Sequence, residues 1–169
     1  MADEAKAKKS RVFLVDDHAL VREHLTALLQ QDANLEVCGE AADARSAFAL
    51  ISQTGPDLVI LDLSLKNSNG LPLLKNLKQL RPDLLVLVLS MHDEGLFAER
   101  ALAAGAIGYI TKEEATVDLL SAIRRVLSGQ IYLSERMAGR LGRKMAGNEQ
   151  ARTSASPSVI PAPNLPALR

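Results

Sequence analysis

The chain has 169 residues, which is enough for one ordinary domain with an appendage. Its residues are 47% hydrophobic but only 3% aromatic, so we expect an aliphatic core of Leu, Val, Ile and Ala. A formal net charge of zero gives no reason to expect that the whole chain binds nucleic acid or membranes, and a single cysteine excludes an internal disulfide.

Strand-like and helix-like segments alternate along residues 11–127. Runs rich in Val, Ile and Leu predict strands at 11–15, 35–42, 58–63, 84–89 and 107–110, the second being the weakest. Apolar residues at helical spacing predict helices at 19–31, 44–52, 71–80, 94–104 and 115–127. Strict alternation with short connections requires parallel strands, right-handed crossovers and helices on both faces. We therefore predict an α/β fold with a doubly wound five-stranded parallel sheet, in which the β-α unit is repeated five times.

The segments outside this alternating region differ from it in composition. We expect residues 1–10 to be a flexible N-terminus, because they are charged and lack the apolar stretch of a signal peptide. Ser134 begins a predicted helix that continues to about Met145, within a linker at 129–146. Residues 147–169 are rich in Pro, Ser and Ala, which predicts a disordered tail. The folded domain is thus expected to span 11–128.

Charge is divided unevenly along the chain. Through Leu127 there are 14 Lys and Arg against 18 Asp and Glu, whereas from Ser128 onward the numbers are 6 and 2. An acidic domain therefore carries a basic tail. We expect the basic residues at 136–144 to belong to a solvated linker helix and not to contact DNA. No segment approaches the roughly 18 apolar residues of a membrane span, so we expect a cytoplasmic protein without membrane contact.

Polar residues stand where four of the predicted strands end. Asp16 and Asp17 follow the first strand, Asp62 closes the third, Ser90 follows the fourth and Lys112 follows the fifth. The carboxyl ends of parallel strands lie along one edge of the sheet, where such folds build their sites. If strands one, three and five are neighbours, three carboxylates and one ammonium share a pocket. The alternative is structural: the acids cap the turns and helices that follow, and the lysine lies on the surface.

The chemistry of this set of residues suits phosphoryl transfer to a carboxylate. Three close carboxylates repel one another and require a divalent cation, and Mg²⁺ prefers oxygen ligands of this kind. Asp62 would act as the nucleophile and form an aspartyl phosphate. Lys112 and Mg²⁺ would neutralise the incoming phosphoryl group, and Ser90 would donate a hydrogen bond to one of its oxygens.

Four segments together identify a family that the chain resembles. They are Val-Asp-Asp-His at 15–18, Val-Ile-Leu-Asp-Leu at 59–63, Val-Leu-Ser at 88–90 and Gly-Tyr-Ile-Thr-Lys at 108–112. Over residues 11–135 the chain resembles the receiver domain of a two-component response regulator, which has a flavodoxin-like, CheY-like fold. Asp17-His18 and the segments 90–94 and 129–134 resemble the NarL/LuxR-type (FixJ-like) branch. We expect His18 and His92 to be exposed loop residues.

The resemblance implies a metal site. Asp17 and Asp62 match the carboxylates that bind Mg²⁺ directly, and the backbone carbonyl of Ser64 matches the third protein ligand. Asp16 matches the acid that reaches the metal through water. The set implies Mg²⁺ as the cofactor.

The resemblance also implies a phosphorylation site with a switch. Asp62 matches the phosphoacceptor, Lys112 the lysine that contacts the phosphate, Ser90 the switch hydroxyl and Tyr109 the aromatic switch residue. An alternative for Tyr109 is that it is an ordinary core residue. The chain departs from the family in one place, since many receivers have a proline four residues after the phosphoacceptor and this chain has Lys66. The departure puts the rigidity of that loop in question.

A phosphorylation switch of this kind has expected partners. A phosphoryl group adds negative charge at the end of the third strand, Ser90 moves toward it and Tyr109 turns inward. This biases the surface made by the fourth helix, the fifth strand and the helix at 115–127. We expect a sensor histidine kinase as phosphoryl donor and a possible homodimer through that surface.

The expected output is control of transcription. Regulators that resemble this chain carry a C-terminal helix-turn-helix, which this sequence does not contain, so DNA would be bound only through an effector domain outside the chain. A truncation and a stand-alone receiver both remain open.

Three other functions are alternatives. A phosphorylation-independent pseudo-receiver that only binds partners is disfavoured by the complete set of acceptor, metal and lysine residues. An aspartate-nucleophile phosphohydrolase would have an acid two residues after the nucleophile, where this chain has Ser64. A flavodoxin-like cofactor site would need a phosphate-binding loop in place of Asp16-Asp17. We therefore expect a phosphoacceptor switch with at most slow self-dephosphorylation, not an enzyme.

Overall fold

The computed structural model describes residues 7–66, 68–92 and 95–153 of the chain. In chain order the elements are β1 (Ser10–Val15), α1 (Ala19–Leu29), β2 (Leu35–Ala41), α2 (Ala44–Thr54), β3 (Leu58–Asp62), β4 (Ser64–Leu65), β5 (Ser68–Asn69), α3 (Gly70–Leu80), β6 (Leu85–Ser90), α4 (Gly95–Ala103), β7 (Gly108–Thr111), α5 (Lys112–Leu127) and α6 (Glu135–Thr153). Among the residues so described, no helix is both long enough and apolar enough to cross a lipid bilayer.

Five parallel strands in the order β2-β1-β3-β6-β7 form the central sheet. This confirms the predicted doubly wound α/β fold. β1 and β3 are neighbours, as expected, but β7 lies beside β6 and not beside β3. The premise that strands one, three and five lie side by side was therefore wrong for the fifth. A right-handed crossover can reach either side of a strand, depending on the face that its helix covers, so chain order alone does not determine neighbours.

Two apolar layers bury the sheet. Successive side chains of a strand point to opposite faces, so alternate residues of β1 and β3 belong to different layers. Phe13 and Val59 lie in the layer under α2, α3 and α4. Leu14 and Ile60 lie in the layer under α1 and α5. Every residue of β3 is buried, which explains its uninterrupted apolar sequence before Asp62.

α5 begins at Lys112, three residues before the predicted start at 115. Thr111 is its N-cap and forms a capping box with Glu114: the Thr111 hydroxyl accepts from the Glu114 backbone N–H, and the Glu114 carboxylate accepts from the Thr111 backbone N–H. The strand β7 thus passes directly into the helix. As a result Lys112 is the first helical residue, next to the carboxyl edge of the sheet.

α6 is longer than predicted. It continues to Thr153, so residues 147–153, which we expected to belong to the disordered tail, are helical. Most of its residues are good helix formers, and contacts with α4 hold its first half. The rest of the predicted tail, 154–169, and residues 1–6 of the predicted flexible N-terminus lie outside the described residues.

Candidate functional site

The ends of β1 and β3 bring three carboxylates together, as predicted. Ligand atoms of Asp16, Asp17, Asp62 and His18 all lie within 4.8 Å of one another. Asp16 and Asp62 are each only 1% exposed. In the sheet, Val15 pairs with Leu61, so the two strands end at the same level and their acids face one pocket.

Lys112 enters the same pocket from the start of α5. Its Nζ lies 2.8 Å from Asp16 Oδ2 and 2.9 Å from Asp62 Oδ2. Burial disfavours the charged form of this lysine, but the hydrogen bonds to Asp16 and Asp62 outweigh burial and raise the pKa of Lys112. The ammonium therefore bridges two buried carboxylates although β6 separates β7 from β3.

Asp62 has a donor for each of its oxygens. The backbone N–H of Ser64 donates to Oδ1 at 2.9 Å, and Lys112 Nζ donates to Oδ2. Burial raises the pKa of Asp62 above its ordinary value, despite these two hydrogen bonds. The negative charge is thus costly at this position, and a cation in the pocket would stabilise it. The bond from Ser64 also shapes the turn after β3, so the turn-capping alternative and a site role are compatible.

The acids at the end of β1 fit a hard divalent cation. No backbone group among the described residues donates to the buried oxygens Asp16 Oδ2 and Asp17 Oδ1; each has one side-chain nitrogen nearby, Lys112 Nζ at 2.8 Å and His18 Nδ1 at 2.9 Å. Each oxygen keeps a second lone pair, and carboxylate oxygens that face a common space are the ligand set that Mg²⁺ prefers. Asp16 also accepts from the His18 backbone N–H at 2.8 Å. His18, not either acid, is the N-cap of α1, so helix capping does not account for the two carboxylates.

His18 was predicted as an exposed loop residue, and this is confirmed, but the prediction missed its contact with the two acids. Its side chain is 56% exposed, yet its Nδ1 lies 2.9 Å from Asp17 Oδ1 and 3.2 Å from Asp16 Oδ1. The available signal was its position directly after the two acids, at the turn into α1.

Asp17 receives a further hydrogen bond from the loop after β3. The backbone N–H of Lys66 donates to Asp17 Oδ2 at 2.9 Å. A proline at this place, as in many receivers, has no N–H to donate. The departure noted in the sequence thus places a donor on a predicted metal ligand. The role predicted for the Ser64 carbonyl stays a prediction.

Ser90 and Tyr109 both contact the backbone of His92. Ser90 is fully buried at the end of β6, and its Oγ accepts from the His92 N–H at 3.2 Å. Tyr109 is fully buried, and its hydroxyl donates to the His92 carbonyl at 2.5 Å. Leu89 pairs with Asp62 in the sheet, so Ser90 comes one residue after the strand partner of Asp62. The Tyr109 ring is already buried here, so its inward turn on phosphorylation stays a prediction, and a core role and a switch role are both compatible with this position.

Comparisons with known proteins agree with this fold. A family model described as the response regulator receiver domain matches residues 12–124. The chain is 37% identical over 137 residues to the DNA-binding transcriptional activator DevR/DosR of Mycobacterium tuberculosis. The aligned region covers 81% of this chain and 63% of that protein. It is 35% identical over 134 residues to the response regulator GacA of Pseudomonas aeruginosa, which covers 79% of this chain and 63% of that protein. The chain thus spans less than two thirds of the length of these relatives.

Solved structures with the same fold come from the same group of proteins. The crystal structure of a LuxR-family two-component response regulator from Aurantimonas sp. SI85-9A1 matches with a TM-score of 0.77 and 34% identity, over 82% of this chain and 99% of that chain. The isolated REC domain of RcsB from Salmonella enterica serovar Typhimurium, in the presence of the phosphomimetic BeF3⁻, matches with a TM-score of 0.71 and 25% identity. The match covers 78% of this chain and 97% of that chain. By its fold, its acidic strand-end site and these similarities, the chain belongs to the response regulator receiver domains, with relatives in the NarL/LuxR branch.

Proposed function

We propose that this receiver accepts a phosphoryl group on Asp62 from the phosphohistidine of a sensor histidine kinase. The observation that supports this most strongly is the bridge formed by Lys112 Nζ between the buried carboxylates of Asp16 and Asp62. A buried ammonium beside an acidic pocket is placed to neutralise a phosphoryl group as its charge arrives.

In the proposed transfer, one oxygen of Asp62 attacks the phosphorus atom. The new P–O bond forms as the P–N bond to the kinase histidine breaks, and the leaving imidazole takes up a proton. Lys112 turns part of its hydrogen bonding from Asp62 to the phosphoryl oxygens, and Ser90 donates to another of them. Asp16, Asp17, Asp62 and the Ser64 carbonyl would hold Mg²⁺. When bound, Mg²⁺ supplies charge neutralisation for the phosphoryl oxygens.

The phosphorylated form is proposed to lose its phosphoryl group slowly. Ser64 stands two residues after Asp62, where an aspartate-nucleophile hydrolase would have an acid, and its backbone rather than its side chain contacts the acceptor. A general acid is thereby missing from this position, so the domain acts as a switch and not as a multiple-turnover hydrolase.

The output is proposed to be control of transcription through an effector domain outside this chain. Support comes from relatives such as the DNA-binding transcriptional activator DevR/DosR, of which this chain matches 63%. Homodimerisation through the surface of α4, β7 and α5 is a further proposal. The complete acceptor, metal and lysine set argues against the pseudo-receiver alternative.

The test is intact mass spectrometry after incubation with acetyl phosphate and Mg²⁺. We expect the wild-type protein to gain the mass of one phosphoryl group, because the acceptor and its cations are assembled. Asp62→Asn and a magnesium-free sample should gain none. Asp83→Asn is the matched control, since the Asp83 side chain is 81% exposed and the residue precedes β6, at the opposite end of that strand from Ser90. Phosphorylation that persists in Asp62→Asn, or no phosphorylation of folded wild-type protein, would contradict the proposal.

A further inference from the structure

α6 lies on one of the elements of the proposed output surface. Met137 is only 2% exposed and belongs to the same buried cluster as Ala98 and Ala101 of α4 and Tyr109 of β7. Arg140 and Lys144 follow Met137 by three and seven residues, so they lie on the same side of the helix and extend the contact. A β-carbon on Gly95 would lie 3.4 Å from Arg140 Nε.

An ion pair closes the far end of this contact. Lys144 Nζ lies 2.6 Å from Glu99 Oε2. The contact thus combines one buried methionine, one guanidinium over a glycine and one exposed ion pair. Because an exposed ion pair contributes little, the contact depends mainly on Met137, and a modest displacement of α4 would be enough to weaken it.

The segment before α6 is anchored independently at the edge of the sheet. Tyr132 forms a parallel bridge with Gly108 of β7, and its carbonyl accepts from the Tyr109 N–H at 3.0 Å. The Tyr132 ring also packs against Arg125 of α5, whose guanidinium carbon lies 5.8 Å from the ring centre. Because this anchor belongs to β7 and α5, it can hold the start of α6 while the contact with α4 changes.

A continuous set of contacts joins the proposed phosphorylation site to this helix pair. Ser90 Oγ accepts from the His92 N–H, and the His92 carbonyl accepts from the Tyr109 hydroxyl. The His92 ring stacks on Phe97 of α4, with ring centres 4.8 Å apart. A movement of Ser90 toward a phosphoryl group would therefore displace His92 and, through the stacked ring of Phe97, α4, close to where Arg140 meets Gly95.

We propose that α6 is an internal partner of the α4 surface and that phosphorylation of Asp62 undocks it. α4 cannot hold α6 and another protein with the same residues, so docked α6 competes with a second copy or another partner for this surface. Undocking would free α4 and move the distal part of α6 at the same time. This inference rests on the proposed function, because it takes Asp62 as the phosphoacceptor.

Hydrogen exchange of the full chain, followed by mass spectrometry, tests the proposal. Exchange is measured with and without acetyl phosphate and Mg²⁺, and intact mass on the same samples reports phosphorylation. We expect exchange in 135–151 to become several-fold faster on phosphorylation, while β1 and β3 stay protected. Unchanged or slower exchange of α6 in protein that has gained a phosphoryl group would overturn the inference alone. Absence of the mass gain would overturn the proposed function, and the inference with it.

A matched pair of methionine variants tests whether the contact holds the helix. Met137→Ala removes the buried anchor, whereas Met145→Ala makes the same change at a residue that is 72% exposed. Without phosphorylation, α6 should exchange faster in Met137→Ala and at the wild-type rate in Met145→Ala. Lys144→Glu should also loosen α6 without altering the core, and Glu99→Lys with Lys144→Glu should restore it. Equal exchange of α6 in wild type, Met137→Ala and Lys144→Glu would contradict docking.

Discussion

Gly70 is placed where a β-carbon would collide with the backbone of Asp62, the proposed phosphoacceptor. A β-carbon there would lie 2.6 Å from the Asp62 carbonyl oxygen and 2.9 Å from Leu63 Cα. The ribbon of β4 and β5 brings the chain back onto itself, and the Gly70 N–H donates to the Leu63 carbonyl at 2.9 Å. Neither β4 nor β5 was predicted from the sequence, because a two-residue strand has no periodicity to detect.

Gly70→Ala should therefore destabilise the protein and displace Asp62. We expect the free energy of unfolding to fall by about 1–3 kcal/mol, as for other overpacked sites, and the rate of phosphorylation by acetyl phosphate to fall with it. Urea unfolding and intact mass measure the two effects. Gly142→Ala is the matched control. Gly142 lies in α6, and a β-carbon added there would have no described atom of another element within 4 Å. Alanine at this position should stabilise the helix by about 0.5–1 kcal/mol. Similar effects of both substitutions would contradict the clash.

Helix caps determine where the elements that carry the site begin. The capping box of Thr111 and Glu114 starts α5 at Lys112 and so sets the position of the bridging ammonium. Asp43 is the N-cap of α2: its Oδ1 accepts from the Ser46 backbone N–H at 2.8 Å. The hydrogen bond from the Ser46 backbone, followed in importance by the one from the Ser46 hydroxyl, lowers the pKa of Asp43 below its ordinary value of 3.8.

Asp43→Ala should destabilise α2 in a pH-dependent manner. An acid whose pKa is lowered by folding stabilises the native state above its unfolded pKa, and this contribution disappears as the pH falls through the folded value. In urea unfolding, the free energy of unfolding of the alanine variant should thus be lower than that of the wild type at neutral pH, and this difference should shrink below pH 3.8. Asp43→Asn retains a capping acceptor without a charge and should stay close to wild type at neutral pH. A deficit of the alanine variant that is independent of pH would show that the charge plays no part.

The receiver fold as a whole holds mutually repelling charges at one edge of its sheet. Asp16, Asp17 and Asp62 are brought together from two strands, and one ammonium does not neutralise three carboxylates. This arrangement exists only in the folded state, so a cation that binds it should stabilise folding.

Mg²⁺ should accordingly raise the free energy of unfolding and the melting temperature. At a concentration one hundred times the dissociation constant, the gain expected for one site is about 2.7 kcal/mol. Asp17→Asn removes one ligand and should reduce this gain strongly. Calorimetric melting in Mg²⁺ is compared with melting in KCl of equal ionic strength, which controls for screening. An equal gain in wild type and Asp17→Asn would show that the stabilising Mg²⁺ binds elsewhere.

Much of this architecture was predictable because its signals are local. Buried parallel strands are continuous apolar segments, helices show their own period, and polar residues at strand ends must share one edge. The five strands and the acids Asp16, Asp17 and Asp62 could therefore be identified without coordinates. The order of the strands could not, since the sequence does not state the face that each crossover covers.

The sequence by itself determined the fold class, the alternation of elements and the identity of the residues at the carboxyl edge. Only the tertiary structure decided that Lys112 contacts Asp62, fifty positions away, and that Lys144 contacts Glu99, forty-five positions away. It likewise decided that His18 touches both neighbouring acids and that Tyr109 is buried against His92. Patterns along a chain record which surfaces are apolar and where elements end. The partners of a side chain depend instead on how remote elements pack, and that is settled only when the whole core is assembled.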